Sequence, residues 1–337
     1  MHHLQRHEGS GRSGLRKAAG HLLGHIAPRV TLVASLFVAG CSPGPAWSTR
    51  APLPTPRTEV TAAVLDGRVY VAGGFAGDGS TSARVEVYAP DADTWSQGVA
   101  LPEALNHAAL ASVGGRLYLV GGYRSDGSAS DRTWSWAAGE REWRAEPDMP
   151  SARGALAVAV SSGMIHALGG AGGEKGEPRK LVKAHEIYDP KARRWSSSTP
   201  LPRPRDHLAA ASVGGRVFVV GGRELTPARN RAWLDVYNPE SHEWRRGPDM
   251  PTARGGLAAA SVGGRLVVCG GEEPTGTFEE VEVYDPFERR WSSSDPLPTP
   301  RHGLSAARIG KRIYVVGGGP EPGLSVSGAN ETLEVRS

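Results

Sequence analysis

"ASVGGRLYLVGG" occupies residues 111–122, and nearly the same twelve letters return as "ASVGGRVFVVGG" at 211–222 and "ASVGGRLVVCGG" at 260–271. In each copy a Gly dipeptide separates two short apolar runs, and a Gly pair closes the second run. Gly-containing dipeptides supply the positive φ of primed hairpin turns, so the phrase reads as a β-hairpin. Fainter copies extend the series. Gly pairs close apolar runs at 73–74, 121–122, 169–170, 221–222, 270–271 and 317–318, at intervals of 48, 48, 52, 49 and 47 residues. Seven residues before each pair stands a turn dipeptide: Asp66-Gly67, Gly114-Gly115, Ser162-Gly163, Gly214-Gly215, Gly263-Gly264 and Gly310-Lys311. A period of this size predicts a repeat architecture built from one supersecondary unit.

The rest of the unit follows in register. A third strand is predicted at "VEVY" (85–88), "HEIY" (185–188), "LDVY" (234–237) and "VEVY" (281–284). Seven residues after its closing aromatic comes a Trp: Tyr88/Trp95, Trp136/Trp143, Tyr188/Trp195, Tyr237/Trp244 and Tyr284/Trp291. Each Trp opens a fourth strand that leads to a Leu-Pro or Met-Pro pair. The recurrence predicts a contact in which the indole packs where the Gly pair leaves no side chain in the way.

Paired Gly, then Tyr, then Trp resembles the kelch repeat, over about residues 47–337. The resemblance implies an all-β fold: a six-bladed β-propeller of four-stranded kelch blades. The sixth unit runs from Gly317-Gly318 to "TLEVRS" without a Trp, whereas Trp47 precedes Leu53-Pro54 with the spacing from Trp95 to Leu101-Pro102. The N-terminal strand is therefore expected to complete the sixth blade, which removes an open sheet edge.

Charge argues against nucleic acid as a partner. The net charge is +4, but five of the 39 basic and one of the 35 acidic residues fall in residues 1–40, leaving 34 of each in the remainder. A balanced body has no bulk attraction for a polyanion. The basic segment instead precedes "VTLVASLFVAG" (30–40), an apolar run too short for a bilayer span, which needs roughly 20 residues. Basic, apolar and small-residue regions in that order have the layout of an export signal. Val38-Ala39-Gly40-Cys41 resembles the bacterial lipobox, which implies a cleaved signal over 1–40, a lipid on Cys41, a short tether over 41–46 and a propeller over 47–337. Ser42 after the Cys favours the outer membrane by the same resemblance. Cys269, the other cysteine, lies in "LVVCGG" and reads as a small buried hydrophobe.

A fold of this kind does not dictate function, so the loops carry the search. One Arg follows five of the inter-blade Pro pairs at a fixed offset: Arg57, Arg153, Arg205, Arg254 and Arg301, with Leu105 at the remaining junction. Entering the innermost strands, they are expected to ring the channel mouth, with His107 and His207 at matching positions and His302 one residue earlier. Guanidinium forks suit carboxylates and phosphates. In the family the resemblance names, arginines at this junction contact acidic peptides. Basic residues of the loops at 171–184 and 223–233 would add to that face. These eight residues form the candidate ligand site, for a protein or an anionic or carbohydrate ligand, and Arg153→Ala with Arg254→Ala is expected to weaken binding without unfolding.

No metal, cofactor or catalytic residue is assigned, because ring-related histidines need not converge on one ion and no Cys/His spacing accompanies them. Galactose-oxidase-like copper chemistry lacks its crosslinked cysteine. A sialic-acid-mutarotase-like enzyme is the alternative, with Glu59, Glu103, Glu224, Glu272 and Glu273 as candidate carboxylates. The leading expectation is a monomeric, lipid-anchored, exported binding module that touches the membrane only through its lipid.

Overall fold

The computed structural model describes residues 47–335, so the expectations for the leader, Cys41 and the tether lie outside the described residues. Six four-stranded antiparallel sheets carry most of the regular structure. In the first blade Thr61–Leu65, Arg68–Ala72, Val85–Ala89 and Thr94–Gln97 pair in chain order. The next four blades repeat this order, with inner strands at Ala109–Val113, Ala157–Ser161, Ala209–Val213 and Ala258–Val262. The inner strands stand around a central channel lined by Ala62, Leu110, Val158, Ala210, Ala259 and Ala306. The molecule is a six-bladed β-propeller, as the repeat predicts.

Each strand's burial follows from its place in the blade. Inner strands alternate buried and half-buried residues, one face toward a neighbouring blade and the other toward the channel. Second strands are covered on both faces, so Val69–Ala72 and Val217–Val220 are buried at every position. The core lies between blades: Val69 and Val71 of the first pack with Tyr314 and Val316 of the last, around Leu53. Hairpin turns of the first five blades hold both central residues at φ 48–77°, the primed geometry their sequences demand. The sixth keeps only Gly310 at positive φ, since Lys311 stands where the others have Gly.

The Gly pairs have a task other than the one expected of them. A Cβ on Gly73 would lie 2.4 Å from the Leu105 carbonyl oxygen, and one on Gly121 2.5 Å from that of Arg153. The N–H of the second Gly donates to the same carbonyl: Gly74 to Leu105 at 2.9 Å, Gly122 to Arg153 at 2.9 Å, and Gly318 to Arg57 at 2.8 Å. The pair thus seats the next blade's junction, not the Trp. The indoles lie at the outer strands, with Tyr–Trp centroids 5.0–5.1 Å apart in four blades. A partly buried indole N–H needs an acceptor, and each finds one on the segment leaving the preceding blade, as Trp95 does at Ala51 O (2.8 Å) and Trp195 at Pro147 O (3.0 Å).

Ring closure has the expected form. Trp47–Thr49 pairs with Asn330–Glu334 in the register Trp47↔Leu333 and Thr49↔Glu331. The Trp47 indole donates to Asp295 O at 3.0 Å, continuing the chain of indole contacts across the seam. Deleting residues 47–53 should lower the denaturant midpoint, and Trp47→Ala alone should cost about 3–5 kcal/mol. An unchanged midpoint for the deletion would refute this closure.

Blade three also buries a pair of imidazoles. His166 Nδ1 lies 2.9 Å from His185 Nε2, and His185 Nδ1 donates to Thr199 O at 3.2 Å. Burial pushes His166 down to about 4, and burial with the neighbouring imidazole pushes His185 down to about 3. The unfolded chain takes up protons on both rings below about 6.5, whereas the folded chain refuses them until far lower pH. Their contribution is complete above pH 6.5 and is lost as pH falls toward these depressed values. Denaturant midpoints measured across that window should decline, and the double substitution His166→Leu/His185→Leu should flatten the decline.

Candidate binding site at the channel mouth

The five junction arginines do not present their charge to the mouth. Arg57, Arg153, Arg205, Arg254 and Arg301 are each 0 % exposed. Each turns back into its own blade and pairs with a buried carboxylate on the third strand: Glu86, Glu186, Asp235, Glu282 and Glu331, at 2.5–3.0 Å. Backbone carbonyls near the Gly pair take further donors, as Gly73 O does from Arg57 Nη1 (2.8 Å) and Gly221 O from Arg205 Nε (2.6 Å). Burial lowers all five guanidinium groups from their ordinary range, opposed by the paired carboxylates, and Arg205 falls to about 10. The expectation that Arg153 and Arg254 could be replaced without harm to the fold therefore fails. Removing one member of a buried pair strands the other charge.

The second blade shows what the alternative looks like. Its junction carries Leu105, and the third-strand position that holds the acid elsewhere carries Trp134, paired with Leu119 as Glu86 is with Val71. Leu105 and Trp134 belong to one apolar cluster. Both halves of the ion pair are replaced together.

The mouth itself is formed two residues after each junction. Glu59, His107, Ala155, His207, Gly256 and Gly303 all have left-handed backbone, at φ 53°, 50°, 51°, 50°, 67° and 59°. That conformation costs a non-Gly residue about 1–3 kcal/mol, so something must hold it. A belt of backbone hydrogen bonds does: His107 N–H to Glu59 O (3.2 Å), Ala155 to His107 (3.0 Å), His207 to Ala155 (2.9 Å), Gly256 to His207 (3.0 Å) and Gly303 to Gly256 (2.9 Å). Val60 N–H to Gly303 O, at 3.2 Å, closes the circle. Below the belt lies a cavity of about 230 Å³.

Two further rings surround the belt. One residue earlier stand Thr58, Asn106, Gly154, Asp206, Gly255 and His302. Each pairs with the residue following a Gly pair: Phe75, Tyr123, Ala171, Arg223, Glu272 and Gly319. Small residues make room for the larger ones, since a Cβ on Gly303 would lie 2.8 Å from Glu59 Oε1 and one on Gly319 2.9 Å from His302 Nε2.

Into that room converge acids, imidazoles and one guanidinium. His107 Nε2 and His207 Nε2 face each other at 3.0 Å across Ala155. Glu59 Oε2 is 3.3 Å from His107 Nε2, and Glu59 Oε1 is 3.4 Å from His302 Nδ1. Asn106 Nδ2 donates to Thr81 Oγ1 at 3.0 Å, which turns its Oδ1 to accept His107 Nδ1–H at 2.7 Å. Asp206 Oδ2 accepts His207 Nδ1–H at 2.7 Å. Arg223 bridges Glu272 Oε1 through Nη1 and His207 Nε2 through Nη2, the latter at 2.8 Å. Arg179 lies over the Tyr123 ring, 3.2 Å from its centroid.

Electrostatics follow from these contacts. Burial alone would raise the Glu59 carboxyl, but His107, His302 and His207 outweigh it and hold it well below the usual range. Burial pushes His107 down to about 3 against the pull of Glu59. For His302 burial is overcome by the bond and charge of Glu59 and by Glu272, and its pKa rises. Asp206 is lowered: burial raises it, but its bond to His207 and the charge there, the Leu225 N–H and Arg223 together outweigh burial. At neutral pH the mouth holds ionised carboxylates beside a neutral imidazole, a set of lone pairs able to bind a cation.

Of the expected residues, His107, His207 and His302 do come together, and the five arginines do not join them. Among the candidate carboxylates Glu59 and Glu272 reach the mouth. Glu103 pairs with Arg124, Glu224 with Arg229 and Arg231, and Glu273 is exposed. Sequence reasoning missed Asn106, Asp206, Tyr123 and the role of Arg223. The signal was available in the fixed offsets: two and one residues from the Leu/Arg position, and the residue after each Gly pair. The ground for assigning no metal was that the histidines need not converge. Two of them do, with Glu59. Cys269 is buried, and burial pushes its thiol up to about 12, in keeping with a core role.

Comparison with known proteins gives a consistent picture. Residues 106–318 match the KLHDC2/KLHL20/DRC7 Kelch-repeats domain, and residues 56–102 match the Kelch motif. No curated protein matches the chain. Among solved structures, that of YjhT superposes with a TM-score of 0.72 at 15 % identity, covering 84 % of this chain and 96 % of the other. At that identity the likeness speaks for the fold alone.

The buried ion pairs generate a direct test. Arg153→Leu should destabilise by about 3–5 kcal/mol by leaving Glu186 unpaired. Adding Glu186→Trp, which copies the second blade's solution, should restore most of the loss in denaturant titrations. A double variant no more stable than the single one would show that the arginine does more than satisfy its partner.

Proposed function

The chain belongs to the kelch-repeat family, and on that premise we propose that it is a binding module whose recognition site is the channel mouth. The observation that carries this reading is the inequality of equivalent positions. Three of the six belt positions are Ala or Gly, and Ala171 and Gly319 stand where Arg223 and Glu272 stand in other blades. The fold therefore accepts small residues at every ring of the mouth. The buried and half-buried acids, imidazoles and guanidinium gathered there are not required by the architecture, and each carries a desolvation cost that packing does not explain. A small polar ligand, or the projecting tip of a protein partner, fits such a recess. An anionic or carbohydrate group would meet Arg223 and Arg179, now that the junction arginines are committed to their own blades.

A second reading, an isomerase resembling sialic-acid mutarotase, is favoured by one feature. The Glu59 carboxylate lies 3.3 Å from the His107 imidazole, so two groups of the kind used in proton transfer stand together at the recess. Exchange between sialic-acid anomers, followed by NMR, would be accelerated by the parent and not by Glu59→Gln if this reading holds.

The leader belongs to the same proposal: removal of residues 1–40, a lipid on Cys41 and export to the outer membrane. Trp47 pairs beside Ile313 and Leu333, at the hairpin-turn face and away from the Glu59 belt. A lipid on Cys41 would tether the propeller from that face and leave the mouth accessible. Intact-mass measurement of the mature protein should show an acylated Cys41 terminus.

Binding is tested by thermal shift against a panel of neutral and acidic saccharides. A ligand should raise the melting temperature of the parent, and His107→Ala/Arg179→Ala should abolish that rise while leaving the unliganded melting temperature nearly unchanged, since Arg179 is exposed and pairs with no buried carboxylate among the described residues. A ligand-induced rise that survives both substitutions would place recognition elsewhere.

A further inference from the structure

We propose that Glu59, His107 and His207 form a binding site for a divalent transition-metal ion, with zinc the best fit. The proposal rests on the reading of the mouth as the recognition site and names its ligand. Both imidazoles are oriented by their far nitrogens: His107 Nδ1–H is taken by Asn106 Oδ1 and His207 Nδ1–H by Asp206 Oδ2, each at 2.7 Å. The near nitrogens then carry lone pairs, and these two acceptor atoms face each other at 3.0 Å. Two acceptors at that distance repel unless something positive lies between or beside them. Glu59 Oε2, 3.3 Å from His107 Nε2, brings a third acceptor, and the three ligand atoms all fall within 4.8 Å of one another.

That spacing suits one ion. A tetrahedral centre with ligands at about 2.0–2.1 Å places its ligand atoms roughly 3.3–3.4 Å apart. Two imidazoles and a carboxylate form a donor set that zinc takes, and the Asn106 and Asp206 bonds are the outer-shell contacts that fix metal-binding imidazoles. All three ligands line the cavity of about 230 Å³, so a fourth position would open toward water or a ligand.

Arg223 is the competitor. Its Nη2 lies 2.8 Å from His207 Nε2 and donates to the lone pair an ion would use, while Nη1 is held by Glu272. Metal binding therefore requires that bond to yield. Freed from His207, the guanidinium keeps its tie to Glu272 beside the open coordination position, where it can meet an anionic group of a ligand on the ion. Metal and guanidinium would then recognise the two halves of one ligand.

The test uses the full chain equilibrated with zinc, dialysed, and assayed for metal content and by competition with a chelator. Five histidines among residues 1–40 (His2, His3, His7, His21 and His25) can hold zinc on their own account, so the readout is the difference between parent and variants. The parent should retain one more zinc per chain than His107→Ala, His207→Ala or their combination. Asp206→Asn should weaken retention about 10–100-fold, and Arg223→Gln should tighten it. Cobalt in place of zinc should give the visible bands of a four-coordinate centre, absent in the double histidine variant. Circular dichroism and melting temperature of each variant verify that the propeller is intact. Equal zinc content in the parent and a folded double variant would overturn the proposal. If the same histidine substitutions still abolished saccharide binding, the mouth would stand as the recognition site and only the metal would fall.

Discussion

Everything at the channel mouth depends on how closely one blade's Gly pair approaches the next blade's junction. With no Cβ in the way, the second Gly donates its N–H to the junction carbonyl, and the chain then turns through one left-handed residue into the inner strand. The contact fixes where that residue sits, and the hydrogen-bonded belt fixes it a second time. A side chain at the first Gly would press on the next blade's junction carbonyl, and one at the second would press on the entry segment of its own blade, as a Cβ on Gly74 would on Thr58 O, at the point where the mouth is assembled. The site is precise because the backbone beneath it is determined twice.

Repetition supplies the control that a single domain lacks. Five blades keep a buried Arg with a buried acid, and the sixth variant of the junction replaces both with Leu105 and Trp134. That joint exchange marks the pair as an element of the blade, since a buried ion pair and a well-packed apolar pair are alternative solutions to one local problem. The mouth behaves in the opposite way. Its polar residues differ from blade to blade and have Ala or Gly as their equivalents, so they answer to something other than the fold.

The fold was almost wholly legible in the sequence, because each recurring residue marks a backbone necessity. Gly pairs, turn dipeptides and Trp spacing located the strands, and the missing final Trp disclosed the closing strand. The site was legible only in part. An arginine recurring at one offset looks the same on paper whether it points into a channel or back into its blade, and only the depth of Glu86, Glu186 and their counterparts decides. For the histidines the difficulty was one of rotation. His107 and His207 are separated by Ala155, and whether two side chains reach across a small residue depends on the left-handed backbone at all three positions. The acids and Arg223 were visible as loop charges, but their burial was not.

Glu59 and His302 come from the two ends of the described chain and meet across the seam that Trp47 closes. His107 and His207, by contrast, belong to blades well inside the ring. A propeller whose seam has parted would keep most of its strands, its two facing imidazoles and the carboxylate beside them, yet lose the His302 ring that holds that carboxylate from the other side. Competence at the mouth is therefore a register of ring completion: the cluster can be whole only on a molecule whose first and last blades have found each other.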